Sequence, residues 1–116
     1  MKKKEKKQSL DELLEEIGRT SLLSHEEELA LLKVVKENGT DCDEMEQLEK
    51  ANMRFIVSVA NQYQKQGLTL EELIEAGTNG LRKGAMKYNL EADFKFIAYA
   101  VWWIRQSIMQ AIEEKK

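Results

Sequence analysis

Apolar residues in this chain return every three or four positions, the spacing that lines one face of an α-helix, and nowhere do they alternate as a strand requires. Capping signals divide this pattern into segments. Ser9 and Glu12 stand three apart as a capping box, in which each side chain accepts the other residue's backbone N–H, and Gly18 supplies the stop. This predicts a short helix over 9–18. Ser24 and Glu27 repeat the signature for a second helix that Asn38 and Gly39 end. A third runs from about Asp43 to Gln66, closed by Gly67, with Met45, Leu48, Phe55, Ile56, Val59 and Tyr63 on its buried face. Thr69 and Glu72 open a fourth that reaches Tyr88. After a loop over 89–93, a fifth helix runs from about Phe94 to Glu114. The expected fold is all-α, a compact bundle of about five helices forming a single domain over 9–116, behind a disordered basic tail at 1–8.

The last helix carries two unlike faces. At 100° per residue, Ile97, Val101, Ile104, Ile108 and Ile112 fall in one narrow stripe that suffices to dock the helix. Phe96, Tyr99, Trp102 and Trp103 fall on the other side, continued by Gln106 and accompanied by Lys95 and Arg105. An exposed aromatic cluster usually marks a binding surface. Flat rings stack on unpaired bases, and a side-chain amide can read a base edge. The alternative is a helix buried on both sides, its rings packed against the first two helices. Periodicity shows the face and leaves its occupant open.

The fourth helix contains Gly77, Gly80 and Gly84 on one side. Each costs about 1 kcal/mol relative to Ala inside a helix, so something must approach the backbone closely there. A neighbouring helix of this domain and a partner's helix both satisfy that demand. Glu71, Glu72 and Glu75 form an acidic edge ahead of the stripe, suited to a basic partner or simply to solvent.

Composition narrows the function. The chain has 116 residues, 34% charged and 42% hydrophobic, with no Pro and 6 Gly. No apolar run is long enough to span a membrane, and the basic start leads into Asp11 and Glu12 rather than an apolar signal stretch. A cytoplasmic protein is expected. Cys42 is the single cysteine and His25 the single histidine, which excludes an internal disulfide and a zinc site of usual composition. No catalytic constellation or phosphate loop stands out, so neither an enzyme nor a cofactor is expected. The net charge of −3 conceals a division. Residues 9–50 hold thirteen acids and four bases, whereas residues 79–112 hold five bases (Arg82, Lys83, Lys87, Lys95, Arg105) and two acids. Any nucleic acid would be met by the C-terminal third.

These residues carry a resemblance. The run from Phe94 to Ile108, Phe-Lys-Phe-Ile-Ala-Tyr-Ala-Val-Trp-Trp-Ile-Arg-Gln-Ser-Ile, closely resembles the promoter-melting segment of primary-type bacterial sigma factors of the sigma-seventy family. Residues 51–60 with Tyr63 and Gly67 look like the helix that opens the family's second region. Residues 73–77 with Gly80 and Leu81 look like its polymerase-binding helix, and residues 13–30 resemble the preceding segment.

The resemblance implies a transcription initiation domain that binds core RNA polymerase and the single-stranded -10 promoter element, with no cofactor and no membrane. Glu72, Glu75, Thr78 and Arg82 would meet the clamp helices of the polymerase largest subunit. Trp102 and Trp103 would wedge at the upstream edge of the melted element. Tyr99 would stack on a flipped adenine, Phe94 and Phe96 would line the strand, and Lys95, Arg105, Gln106 and Met109 would complete the DNA face.

The chain also departs from the family pattern. Ala76 and Thr78 replace an acid and an amide. Asn89, Ala92 and Asp93 stand where an acid and an Arg-Gly pair are usual. Met109 replaces a small polar residue. Since the chain ends at Lys116, the family's later domains are expected to be absent, and promoter initiation by this chain alone is expected to be poor. A degenerate sigma-like regulator, or a helical adaptor that binds protein without melting DNA, are the competing expectations.

Overall fold

The computed structural model describes residues 23–115. The tail predicted at 1–8 and the helix predicted over 9–18 lie outside the described residues. Among the described residues there are four helices and no strand: α1 (His25–Asn38), α2 (Asp43–Asn61), α3 (Leu70–Lys87) and α4 (Phe96–Lys115). The expectation of about five helices is corrected to four within this span, all of them at predicted positions.

Two of the helix starts follow the predicted chemistry. Ser24 Oγ accepts from the Glu27 N–H at 3.1 Å while the Glu27 carboxylate accepts from the Ser24 N–H at 2.9 Å. Thr69 and Glu72 repeat the exchange at 3.1 and 2.8 Å. Each carboxylate, bonded to a backbone N–H, titrates below its ordinary value. Both boxes therefore add stability above the ordinary carboxylate range and lose it as pH falls through the lowered value.

Two helix ends differ from expectation, each for a local reason. α2 stops at Asn61 rather than Gln66. Gln62 and Tyr63 bond back to Val59 and Ala60, three residues earlier, at 3.0 Å, which tightens the last turn. Lys65 (φ 70°) and Gly67 (φ 108°) then leave the right-handed region. α4 begins at Phe96 rather than Phe94. The Phe94 carbonyl, which a helix would offer to the Ala98 N–H, instead accepts the Tyr88 hydroxyl. Ala98 bonds to Lys95 instead, at 3.1 Å.

The core draws on every helix: Leu32 and Val35 from α1, Met45, Leu48, Ile56 and Val59 from α2, Leu73, Leu81 and Ala85 from α3, and Phe96, Ala100, Ile104, Ile108 and Ile112 from α4. Each large side chain so buried contributes about 1.5–3 kcal/mol through lost water contact. Phe55, expected in this set, is instead 37% exposed. Its neighbours Ile56 and Val57 take the inward positions of α2. On the flank, Arg82 Nε of α3 donates to Glu49 of α2 at 2.7 Å, and Lys36 of α1 donates to the Met86 carbonyl at 2.9 Å.

The glycine stripe of α3 faces α4, so the neighbouring helix of this domain is what approaches it. A Cβ at Gly80 would collide with the Trp103 carbonyl oxygen and would stand 2.6 Å from the Ile104 Cα. At Gly77 it would stand 2.9 Å from Ile56 Cγ2, a side-chain atom that can shift. At Gly84 its nearest neighbour, at 3.3 Å, would be only slightly crowded. Replacing helical Gly by Ala gains about 1 kcal/mol in propensity, whereas overpacking costs about 1–3 kcal/mol and more against backbone. Urea unfolding should therefore show Gly80→Ala losing at least about 2 kcal/mol, Gly77→Ala less, and Gly84→Ala staying within about 1 kcal/mol of the parent. An unchanged midpoint for Gly80→Ala would contradict the close helix contact.

Candidate nucleic-acid interface

Contact with α3 turns α4 about its axis relative to the isoleucine stripe. The buried arc runs through Phe96, Ala100, Ile104, Ser107, Ile108 and Ile112, while Ile97 and Val101 are only half-buried. Opposite that arc lie Ala98, Trp102, Arg105, Gln106 and Met109, all exposed. Tyr99 and Trp103 occupy the shoulder between the two, half-buried against the end of α3.

The expected ring face is thus divided. Trp102 is 56% exposed and Phe94 50% exposed, and Met109 follows at 45%. Phe96, expected to line a DNA strand, is fully buried and must be removed from that role. Its ring packs edge-on against Tyr88 at 5.4 Å and serves the core. The helical wheel misplaced it because the turn toward the glycines puts Phe96 inside the buried arc.

The rings form a connected row. Phe94 lies 6.0 Å from Tyr99, Tyr99 lies 6.4 Å from Trp103, and Trp103 lies 4.9 Å from Trp102, the two indoles nearly perpendicular at 86°. Tyr88 supports the row from beneath, 5.9 Å from both Phe94 and Tyr99. Aromatic pairs at such separations add about 0.5–1.5 kcal/mol beyond area burial. The Trp103 Nε1 is buried and finds no acceptor among the described residues, which costs about 1–3 kcal/mol.

Cations flank the row. Lys95 is exposed at its start, and Arg105 is exposed two positions past the indoles. Lys83 and Lys87 border a cleft of about 280 Å³ on α3 whose wall includes Trp103. A negatively charged polymer laid along the rings would meet positive charge on both sides.

Beyond Lys95 lies a feature that periodicity did not single out. A groove of about 550 Å³ opens between α1, α2 and the entry to α4, walled by His25, Glu28, Asn52, Arg54, Phe55 and Lys95 among others. Burial raises the Glu28 carboxyl above its ordinary value, and His25 and Lys95 oppose that rise. The signal in the sequence was Phe55 beside Ile56 and Val57, three apolar neighbours that cannot all face inward.

The residues expected to meet polymerase spread along α3. Glu75 is exposed. Glu72 is exposed, with its carboxylate held in the capping box. The Thr78 hydroxyl donates to the Ile74 carbonyl at 2.9 Å, and Arg82 is paired with Glu49. Ala76 does not belong to this outer edge. It is buried beneath a cleft between α3 and α4.

Comparison with known proteins gives a consistent result. The family model described as Sigma-70 region 2 matches residues 48–116. The RNA polymerase sigma factor SigA of Listeria monocytogenes is 41% identical over 102 residues, covering 88% of this chain and 27% of that protein. The corresponding protein of Listeria innocua gives the same figures. That of Clostridium acetobutylicum is 43% identical over 102 residues, covering 88% of this chain and 26% of its own length. The chain thus spans about a quarter of the length of the curated relatives it matches.

The division of the rings has a measurable consequence. Phe96→Ala should cost about 3–5 kcal/mol of stability in urea unfolding, because it empties a buried site. Trp102→Ala should cost less than about 1 kcal/mol, as a largely exposed side chain does. Equal losses would place Trp102 in the core and remove it from the surface.

Proposed function

This chain belongs to the sigma-70 region 2 family, and from that premise we propose that it binds core RNA polymerase through α3 and holds the single-stranded -10 promoter element on the aromatic row of α4. The exposed face of Trp102 at the end of a connected row of rings, flanked by lysines, is the observation that carries this reading. Stacking on exposed rings is tolerant of sequence, and it substitutes for the neighbouring base that melting removes. Tyr99, half-buried and supported by Tyr88, offers the accessible part of its ring to an extruded base. Gln106 and Met109 follow Trp102 on the outer stripe, where they would meet the duplex upstream of the opening. Phosphates would run past Lys95 and Arg105 on one side and past Lys83 and Lys87 on the other. On the polymerase side, Glu75 supplies an exposed carboxylate, whereas Arg82 and Thr78 act after their internal bonds are shared or exchanged.

One observation favours the second reading, a sigma-like regulator that occupies polymerase without melting DNA. Asp93 is exposed directly before Phe94, and it would repel a phosphate at the start of the row.

Mixing the protein with core polymerase and then with a single-stranded -10 oligonucleotide separates these readings. Co-elution with polymerase and quenching of tryptophan emission by the oligonucleotide are expected. Trp102→Ala should weaken the oligonucleotide by at least about tenfold, consistent with about 1–3 kcal/mol per stacked base, and should spare co-elution. Co-elution without any response to the oligonucleotide would establish the regulator. Failure to co-elute would remove polymerase from the proposal.

A further inference from the structure

Where the turn between α1 and α2 meets the C-terminal end of α3, two clefts of opposite charge adjoin. The first, of about 280 Å³, is lined by Thr40, Arg82, Lys83, Met86, Lys87 and Trp103, with no carboxylate among them. Lys83 and Lys87 stand one turn apart and are exposed at its rim. Met86, 39% exposed, adds an apolar side chain to a wall that also includes Trp103. Lys36 of α1 donates to the Met86 carbonyl at 2.9 Å and so ties this turn of α3 to α1. The second cleft, of about 200 Å³, shares Thr40 and Arg82 with the first, but its other walls carry Asp41, Asp43 and Glu46, all exposed. Arg82, bonded to Glu49 at 2.7 Å, stands at the boundary. Met86 lies about three turns of α3 beyond Glu75, away from the acidic edge assigned to polymerase.

We propose that the paired clefts dock a segment of a partner protein, distinct from core polymerase, that carries a large apolar side chain between an acidic and a basic flank. Size argues for a side chain. At about 280 Å³ the first cleft falls below the roughly 300–1,000 Å³ of pockets that enclose small molecules. A single apolar anchor fills such a space, as anchors do at the centres of protein interfaces. Charge argues for a polypeptide. A phosphodiester strand drawn to Lys83 and Lys87 and continuing across Arg82 would meet Asp41, Asp43 and Glu46, which repel it. A polypeptide can change sign along its length, so its carboxylates meet the lysines while its cations meet the acids. Water released from Met86 and the indole adds the apolar part of the attraction. A partner of one charge sign throughout is repelled at one cleft or the other, which gives the surface its selectivity.

The test pans random peptides displayed on phage against the whole chain, after depletion on its Met86→Ser variant to remove binders of other surfaces. Met86 is exposed, so the variant should keep its fold, which circular dichroism checks. The surviving peptides should share an apolar residue with acids on one side and bases on the other. No survivors, or survivors of a single charge sign, would overturn the proposal. A fluorescein-labelled survivor, followed by anisotropy, should bind the Lys83→Glu, Lys87→Glu variant at least about fivefold more weakly than the parent. A copy of that peptide with its acidic flank changed to lysine should recover the loss on the variant, and failure to recover it would overturn the charge pairing. The single-stranded -10 oligonucleotide should bind parent and Met86→Ser alike. Equal weakening of peptide and oligonucleotide by Met86→Ser would give the cleft to nucleic acid and overturn a protein occupant. Core polymerase should leave the peptide in place; displacement would make polymerase itself the occupant and overturn a separate partner.

Discussion

Two helix backbones touch where α3 has Gly80 and α4 has the Trp103 carbonyl, and most of the molecule's geometry follows from that contact. No side chain can stand between them. The helices are therefore closer than ordinary ridges and grooves permit, and the buried arc of α4 is turned toward α3. Phe96 goes inward, Tyr99 and Trp103 ride the edge of α3, and Trp102 alone among the ring-bearing residues of the helix faces fully out. Three glycines in one helix weaken it intrinsically by about 1 kcal/mol each. That cost is offset by the long apolar seam from Phe96 to Ile112 that the close approach makes possible.

Much of this was legible in the sequence because its causes are local. Capping boxes at Ser24 and Thr69 need only residues three apart, and both helices start where those residues stand. The glycine stripe announced a close approach, though spacing alone could not say which helix made it. What failed was any inference that needed a neighbour. An ideal wheel assigned all the rings to one face, yet burial of a helix is set by the directions from which other helices touch it. The first residue of α4 was misread for the same reason. Its register depends on the hydroxyl of Tyr88, which caps the preceding helix, a contact that no pattern within residues 94–114 contains.

The division of charge along the sequence becomes a division in space. Acids dominate the start of α2, where Asp43, Glu44 and Glu46 complement the positive end of the helix. One of the same region's acids, Glu49, is spent on Arg82. The exposed cations Lys83, Lys87, Lys95 and Arg105 are left around the rings. A net negative chain can thus present a local positive field, which is what governs encounter with a polyanion.

The Tyr88 hydroxyl has a consequence for affinity that concerns entropy. It donates to the Phe94 carbonyl, and its ring contacts Phe94, Phe96 and Tyr99 at once. The segment that presents Phe94 is therefore tethered at its far end before any ligand arrives. A ring on a freely moving loop would surrender about 1–2 kcal/mol of backbone freedom per residue when it was captured. Here folding has already imposed that order. Whatever flat partner settles on Phe94 meets a preorganised surface, and its binding strength reflects the fit of the two faces rather than the taming of the loop.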